Sequence, residues 1–104
     1  MIGKQVENTP KTTIISSQQA EPTKWTGGEI IYHQDRQHYY QVINRCSGKG
    51  PNGWVEGWTY VRVKDLFGNQ TAFEVDCDPD KFKMYFRPDE YFDSDWILIR
   101  AVIL

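Results

Sequence analysis

Four residues in this chain could act as nucleophile, base or soft metal ligand: His33, His38, Cys46 and Cys77. A thiol–imidazole pair would need Cys46 beside His33 or His38, yet nothing near the cysteine in sequence would lower its pKa, so the structural reading is preferred. None of the four falls at the spacing of a structural zinc site. Asp76, Asp78 and Asp80 repeat the alternating carboxylates that open a calcium loop. That pattern then fails, with Lys81 where glycine is needed and Arg87 where the bidentate glutamate should stand. Gly48-Lys49-Gly50 is too short for a phosphate loop. The expectation is a protein that is not an enzyme, with no metal and no cofactor.

Binding chemistry is better represented. Trp58, Tyr60, Arg62 and Lys64 alternate aromatic with basic groups, and Trp54 lies close by in sequence. Rings beside cations stack bases against phosphates, and aromatic surfaces also hold extended or polyproline peptides. Salt separates the two, because phosphate contacts weaken steeply as salt is added. The competing reading makes Trp58 and Tyr60 the cover of a second core layer. From Glu74 to Asp95, eight acidic residues stand against three basic ones, whereas the chain before Glu74 is net basic. An acidic face of this kind, including Asp76, Asp78, Asp80, Asp89 and Glu90, suits docking on a basic protein surface, as small phage-type inhibitors do. The reading is a protein-interaction module of the phage or prophage accessory or inhibitor type. The alternative is a small barrel that binds single-stranded nucleic acid.

The elements that position these residues are β-strands. Trp58 to Val75 reads as a hairpin around Gly68-Asn69. An odd-length loop of three or five residues sets Val63 opposite Phe73, Val61 opposite Val75 and Arg62 opposite Glu74, so that one face is apolar and the other ion-paired. Gly68 or Asn69 then takes a left-handed conformation, and Trp58, Tyr60, Arg62 and Lys64 face outward. Earlier in the chain, Glu29 to Gln34 and His38 to Arg45 read as two strands around a turn at Asp35-Arg36-Gln37, with Ile30 and Tyr32 on one face and Tyr40 and Val42 inward. Cys46 to Gly57, with four glycines and Pro51, reads as a long loop exposing Trp54. Lys83 to Arg87 reads as a short strand, Asp89 to Phe92 as a 3₁₀ turn and Trp96 to Leu104 as a final strand.

Residues 1–24 are polar, with one β-branched patch at Thr12 to Ile15, and read as a flexible tail. Residues 25–104 read as one β domain. At 104 residues, with four Trp, six Tyr and five Phe, the chain can bury a single core if those rings point inward. Its net charge of −2 gives no bulk attraction to nucleic acid or membrane. Two cysteines and an N-terminus without an apolar stretch imply a reduced, cytoplasmic protein. The C-terminal strand is apolar on both faces apart from Arg100. It should therefore be either interior to the sheet or the strand through which the protein pairs with itself or a partner.

Tyr32-His33, Tyr39-Tyr40-Gln41-Val42 and Arg87-Pro88-Asp89-Glu90-Tyr91-Phe92 resemble the paired boxes of a family of short bacterial and phage SH3-like β proteins of unknown function. The resemblance spans Gly28 to Phe92. It implies an SH3-like barrel and a cytosolic setting, and it carries no activity. The strand pattern agrees, pointing to a mainly β fold of five or six strands in a small open barrel or strongly bent sheet.

Overall fold

The computed structural model describes residues 18–76 and 82–102. Six antiparallel strands form one sheet that does not close: β1 (Ile30–His33), β2 (His38–Gly50), β3 (Gly53–Asp65), β4 (Phe73–Val75), β5 (Met84–Pro88) and β6 (Trp96–Arg100). The spatial order is β4-β3-β2-β1-β6, and β5 lies beside β4 along the same edge of β3. The fold is thus mainly β and open, with 3₁₀ turns at Pro22–Lys24 and Asp89–Tyr91.

Alternation places apolar residues on both faces of this sheet. On one face Ile31, Tyr40, Val42, Trp58, Tyr60 and Trp96 pack with Trp25 and Phe92. On the other, Ile30, Val61, Val63, Ile97 and Ile99 pack together, flanked by Tyr32, Tyr39 and Phe73. The final strand ends at Arg100, short of the expected Leu104, residues 103–104 lying outside the described ones; within it alternation holds, with Trp96 in the first cluster and Ile97 and Ile99 in the second. Its outer edge is occupied within the chain, because Ala20 N–H donates to the Trp96 carbonyl and Leu98 N–H to the Gln18 carbonyl. The tail expected through Lys24 is therefore packed on the sheet from Gln18 onward. The β-branched patch at Thr12 to Ile15 lies outside the described residues.

Two local features differ from the sequence reading. The segment read as a loop, Cys46 to Gly57, is instead the far half of a long hairpin, with Gly50 paired to Gly53 across a turn at Pro51-Asn52. Two of its glycines, Gly48 and Gly57, mark close approach, and Gly53, at φ +119°, serves the tight turn. A Cβ on Gly48 would enter the Phe86 ring, and one on Gly57 would meet both that ring and the Arg87 carbonyl. The hairpin register also differs. Val63 pairs with Val75, Lys64 with Glu74 and Asp65 with Phe73, which keeps the expected parity but leaves seven residues, 66–72, in the loop. The Asp65 carboxylate accepts the N–H groups of Gly68 and Gln70, and these two residues take positive φ. That side chain closes a loop longer than a minimal turn.

Candidate functional site: the ribbon groove

A bulge in β2 decides what the far half of the hairpin presents. The register slips between Val42 and Asn44, so Arg45 lands opposite Trp58, Ser47 opposite Glu56 and Lys49 opposite Trp54. The extra residue moves the odd-numbered side chains onto the face that Tyr40 and Val42 occupied before it. From Gly53 to Glu56, β2 is the strand that pairs with β3 among the described residues, because β5 ends at Pro88, opposite Gly57. The ribbon therefore projects from the body, with Trp54 at 70% exposure near its tip. The Lys49 ammonium lies 5.6 Å from the centre of the Trp54 ring.

Arg45 fastens the ribbon to the Asp89–Tyr91 turn. Its guanidinium donates to both Asp89 oxygens, at 2.5 and 2.7 Å, and lies 3.8 Å from Glu56 and 5.4 Å from the Trp58 ring centre. A forked pair of this kind fixes angle as well as distance. Between the ribbon and the turn runs a groove of about 280 Å³, walled by Val55, Phe86, Pro88 and Tyr91, with one carboxylate, Glu90, and one ammonium, Lys49, also in its lining. A shallower hollow of about 270 Å³ continues from it past Glu56. The Tyr91 ring is exposed, as is much of Phe86. Glu90 takes part in no ion pair among the described residues.

Of the residues singled out by sequence, the fold brings Trp54, Asp89 and Glu90 to this end. It does not bring the outward stripe together. Trp58 and Tyr60 are buried, because residues 18–25 and 89–96 fold over the face that alternation left open. The Trp58 indole donates to the Pro22 carbonyl at 2.9 Å, and Tyr60 stacks on Tyr85 and packs on Phe92 and Trp96. Arg62 and Lys64 remain exposed, Arg62 lying 3.6 Å from Asp76 and Lys64 paired in register with Glu74. Asp78 and Asp80 lie outside the described residues. The wall residues Val55, Phe86, Pro88 and Tyr91 were missed. Val55 sits among glycines that read as a loop, and Phe86, Pro88 and Tyr91 lie in a separate stretch, so no local pattern joined them.

The thiol–imidazole pair is not assembled. His38 begins β2 and Cys46 lies eight residues along it, roughly 25 Å away at strand rise. Cys46 is a free thiol. His33, 8% exposed, accepts the Arg36 N–H on Nδ1 and meets Trp96 edge-on at 4.7 Å. Burial, followed by the Arg36 charge, pushes its pKa below the usual histidine value. No helix among the described residues is long and apolar enough to cross a membrane. No protein family, curated protein or solved structure matches this chain.

Proposed function

We propose that this protein is a non-enzymatic, cytoplasmic protein-interaction module, and that it holds an extended partner segment bearing proline and a basic side chain in the ribbon groove. The observation that carries this reading is the groove itself, with rings and Pro88 along its wall and Glu90 in its lining, in no ion pair among the described residues. Aromatic and proline walls suit the preformed polyproline conformation, and Glu90 and Lys49 in the same lining give a bound segment one carboxylate for a basic side chain and one ammonium against its carbonyls. The acidic residues after Glu74 support docking in this local way rather than as one bare face, since Asp76 and Asp89 are engaged with Arg62 and Arg45.

The runner-up is single-stranded nucleic acid, favoured by one observation, the Lys49–Trp54 pair at the ribbon tip. Screening a library of disordered peptides, then titrating the hits by NMR, tests the proposal. Expected are proline-containing basic hits that perturb Val55 and Tyr91, lose at least tenfold in affinity on Tyr91→Ala, and change little with salt. Tight oligonucleotide binding that collapses with salt and with Lys49→Ala would instead establish the runner-up.

A further inference from the structure

Strand β3 is regular along its length, since the register slip falls on the β2 side, and period two therefore fixes where its peptide groups point. The Arg62 carbonyl accepts the Asp76 N–H at 2.9 Å, and the Leu66 N–H donates to the Ala72 carbonyl at 3.0 Å. Even-numbered residues thus turn their peptide groups to the edge shared by β4 and β5, and odd-numbered residues turn theirs to β2. Tyr60 and Trp58 meet Tyr85 and Arg87 on that edge. The next two even positions, Glu56 and Trp54, meet no strand there, because β5 stops at Pro88 and the chain turns aside at Asp89–Tyr91. The N–H of Glu56 and both peptide groups of Trp54 are left without a strand partner among the described residues.

The two hollows flank this edge. Both are lined by Val55, Pro88 and Glu90, so the groove opens where β5 leaves off. The far edge of the sheet is closed, with Gln18 and Ala20 bonded to β6. Natural edges are blunted by proline, lysine or a bulge, and Gly53-Trp54-Val55-Glu56 carries none of these on the strand itself. A segment that fills the groove displaces water from Trp54 and Glu56. Peptide groups buried without replacement are costly, so the segment must offer its own N–H and C=O groups in return.

Resting on the groove reading, we propose that the partner segment adds a short strand to this edge of β3, antiparallel like the other pairs of the sheet, and exchanges main-chain hydrogen bonds with Trp54 and Glu56. The pairing sets a rule for the partner's sequence. At the residue opposite Trp54 the N–H must be kept, so proline is excluded there and admitted at the positions on either side, whose peptide groups point away. Direction follows as well. An antiparallel segment enters beside Pro88 and leaves toward the ribbon tip. Glu90 lines both hollows and Lys49 only the one nearer the tip, so the basic side chain of the segment lies toward its N-terminus and its C-terminal end approaches Lys49.

The probe is the peptide acetyl-Arg-Pro-Val-Pro-Val-Pro-amide, titrated into the full chain. NMR shifts of Val55 and Tyr91 report binding, and amide exchange reports pairing. In the free protein the Val55 amide should be protected and those of Trp54 and Glu56 should exchange freely. At saturation these two should slow several-fold. The matching ester, with each valine replaced by its α-hydroxy acid, lacks the valine N–H groups and should bind about tenfold more weakly. Glu56→Pro removes the outward N–H at a position where an edge strand tolerates proline, and should lose several-fold more affinity than Glu56→Ala. If the peptide moves Val55 and Tyr91 while the ester binds equally well and neither amide slows, the added strand is overturned and the groove reading stands. If Val55 and Tyr91 do not respond, both fall. Protection at Met84 and Phe86, whose peptide groups point away from β3, would put the strand on β5 and overturn the assignment to β3.

Discussion

Strand β3 passes through two environments within thirteen residues. From Gly57 to Val63 it has neighbours along both edges, and most of its side chains on both faces are buried. From Gly53 to Glu56 it pairs, among the described residues, with β2 alone, and Trp54 and Glu56 are exposed. The composition of the two halves does not explain this, since each holds a tryptophan and a valine. The cause is the reach of other segments. The N-terminal crossing covers Trp58, the Phe92–Trp96 segment covers Tyr60, and Pro88 ends β5 before it can cover the ribbon. One strand therefore serves as core at one end and as contact surface at the other.

The largest test of that contrast compares two tryptophans. Trp96 is fully buried, and Trp96→Ala should cost about 3–5 kcal/mol in denaturant unfolding. That is a large share of the roughly 5–15 kcal/mol that stabilises a folded domain. Trp54→Ala removes an equally large ring from the ribbon and should change stability by no more than about 0.5 kcal/mol. Equal losses would mean that the ribbon is core after all.

Next come two glycines. Gly57→Ala drives a Cβ into the Arg87 backbone as well as the Phe86 ring, and should cost about 1–3 kcal/mol. For Gly48→Ala the nearest atoms are those of the Phe86 ring, which is partly exposed and can turn aside, so its cost should be clearly smaller. If the order were reversed, the ribbon half would be the more rigid one.

A smaller effect depends on pH and belongs to the body alone. His33 is held neutral by burial and by Arg36, with Arg87 acting in the same sense and Asp95 and Asp35 opposing. Its pKa is lowered on folding, so the unfolded chain binds the extra proton more readily. The contribution is complete above the unfolded value of about 6.5 and is lost as pH falls through the lower folded value. Denaturant midpoints from about pH 7 to pH 5 should therefore decline more for the wild type than for His33→Asn. A parallel decline in both proteins would remove His33 as the cause.

The smallest stability effect is expected at Arg45. The pair with Asp89 is partly exposed, so Arg45→Gln should cost no more than about 1 kcal/mol. Peptide affinity in the ribbon groove should nevertheless fall several-fold, because that pair sets the position of the Asp89–Tyr91 turn against the ribbon. Unchanged affinity would show that the turn is held by other contacts.

Much of the fold was legible in local pattern. Period-two alternation identified the strands around residues 29–45, the inward Tyr40 and Val42, the short strand ending at Arg87-Pro88 and the two-sided final strand. Parity correctly placed Val63 and Val75 on one face. The loop length was not legible, because the Asp65 side chain, rather than a minimal turn, closes it. The ribbon was misread for a related reason. Glycine is a local signal for a break, and at Gly48 and Gly57 it answers to the Phe86 ring, far along the chain.

What the sequence by itself determined is which residues alternate, and hence that Trp58 and Tyr60 share a face opposite Val61 and Val63. That follows from the pleat, which needs only neighbouring residues. Which face meets water was decided by the tertiary structure. The charges show the same division, since a chain basic before Glu74 and acidic after it folds so that Arg45 meets Asp89 and Arg62 meets Asp76. Burial and charge pairing depend on which distant segments fold over a strand, and distance along the chain does not encode distance in space.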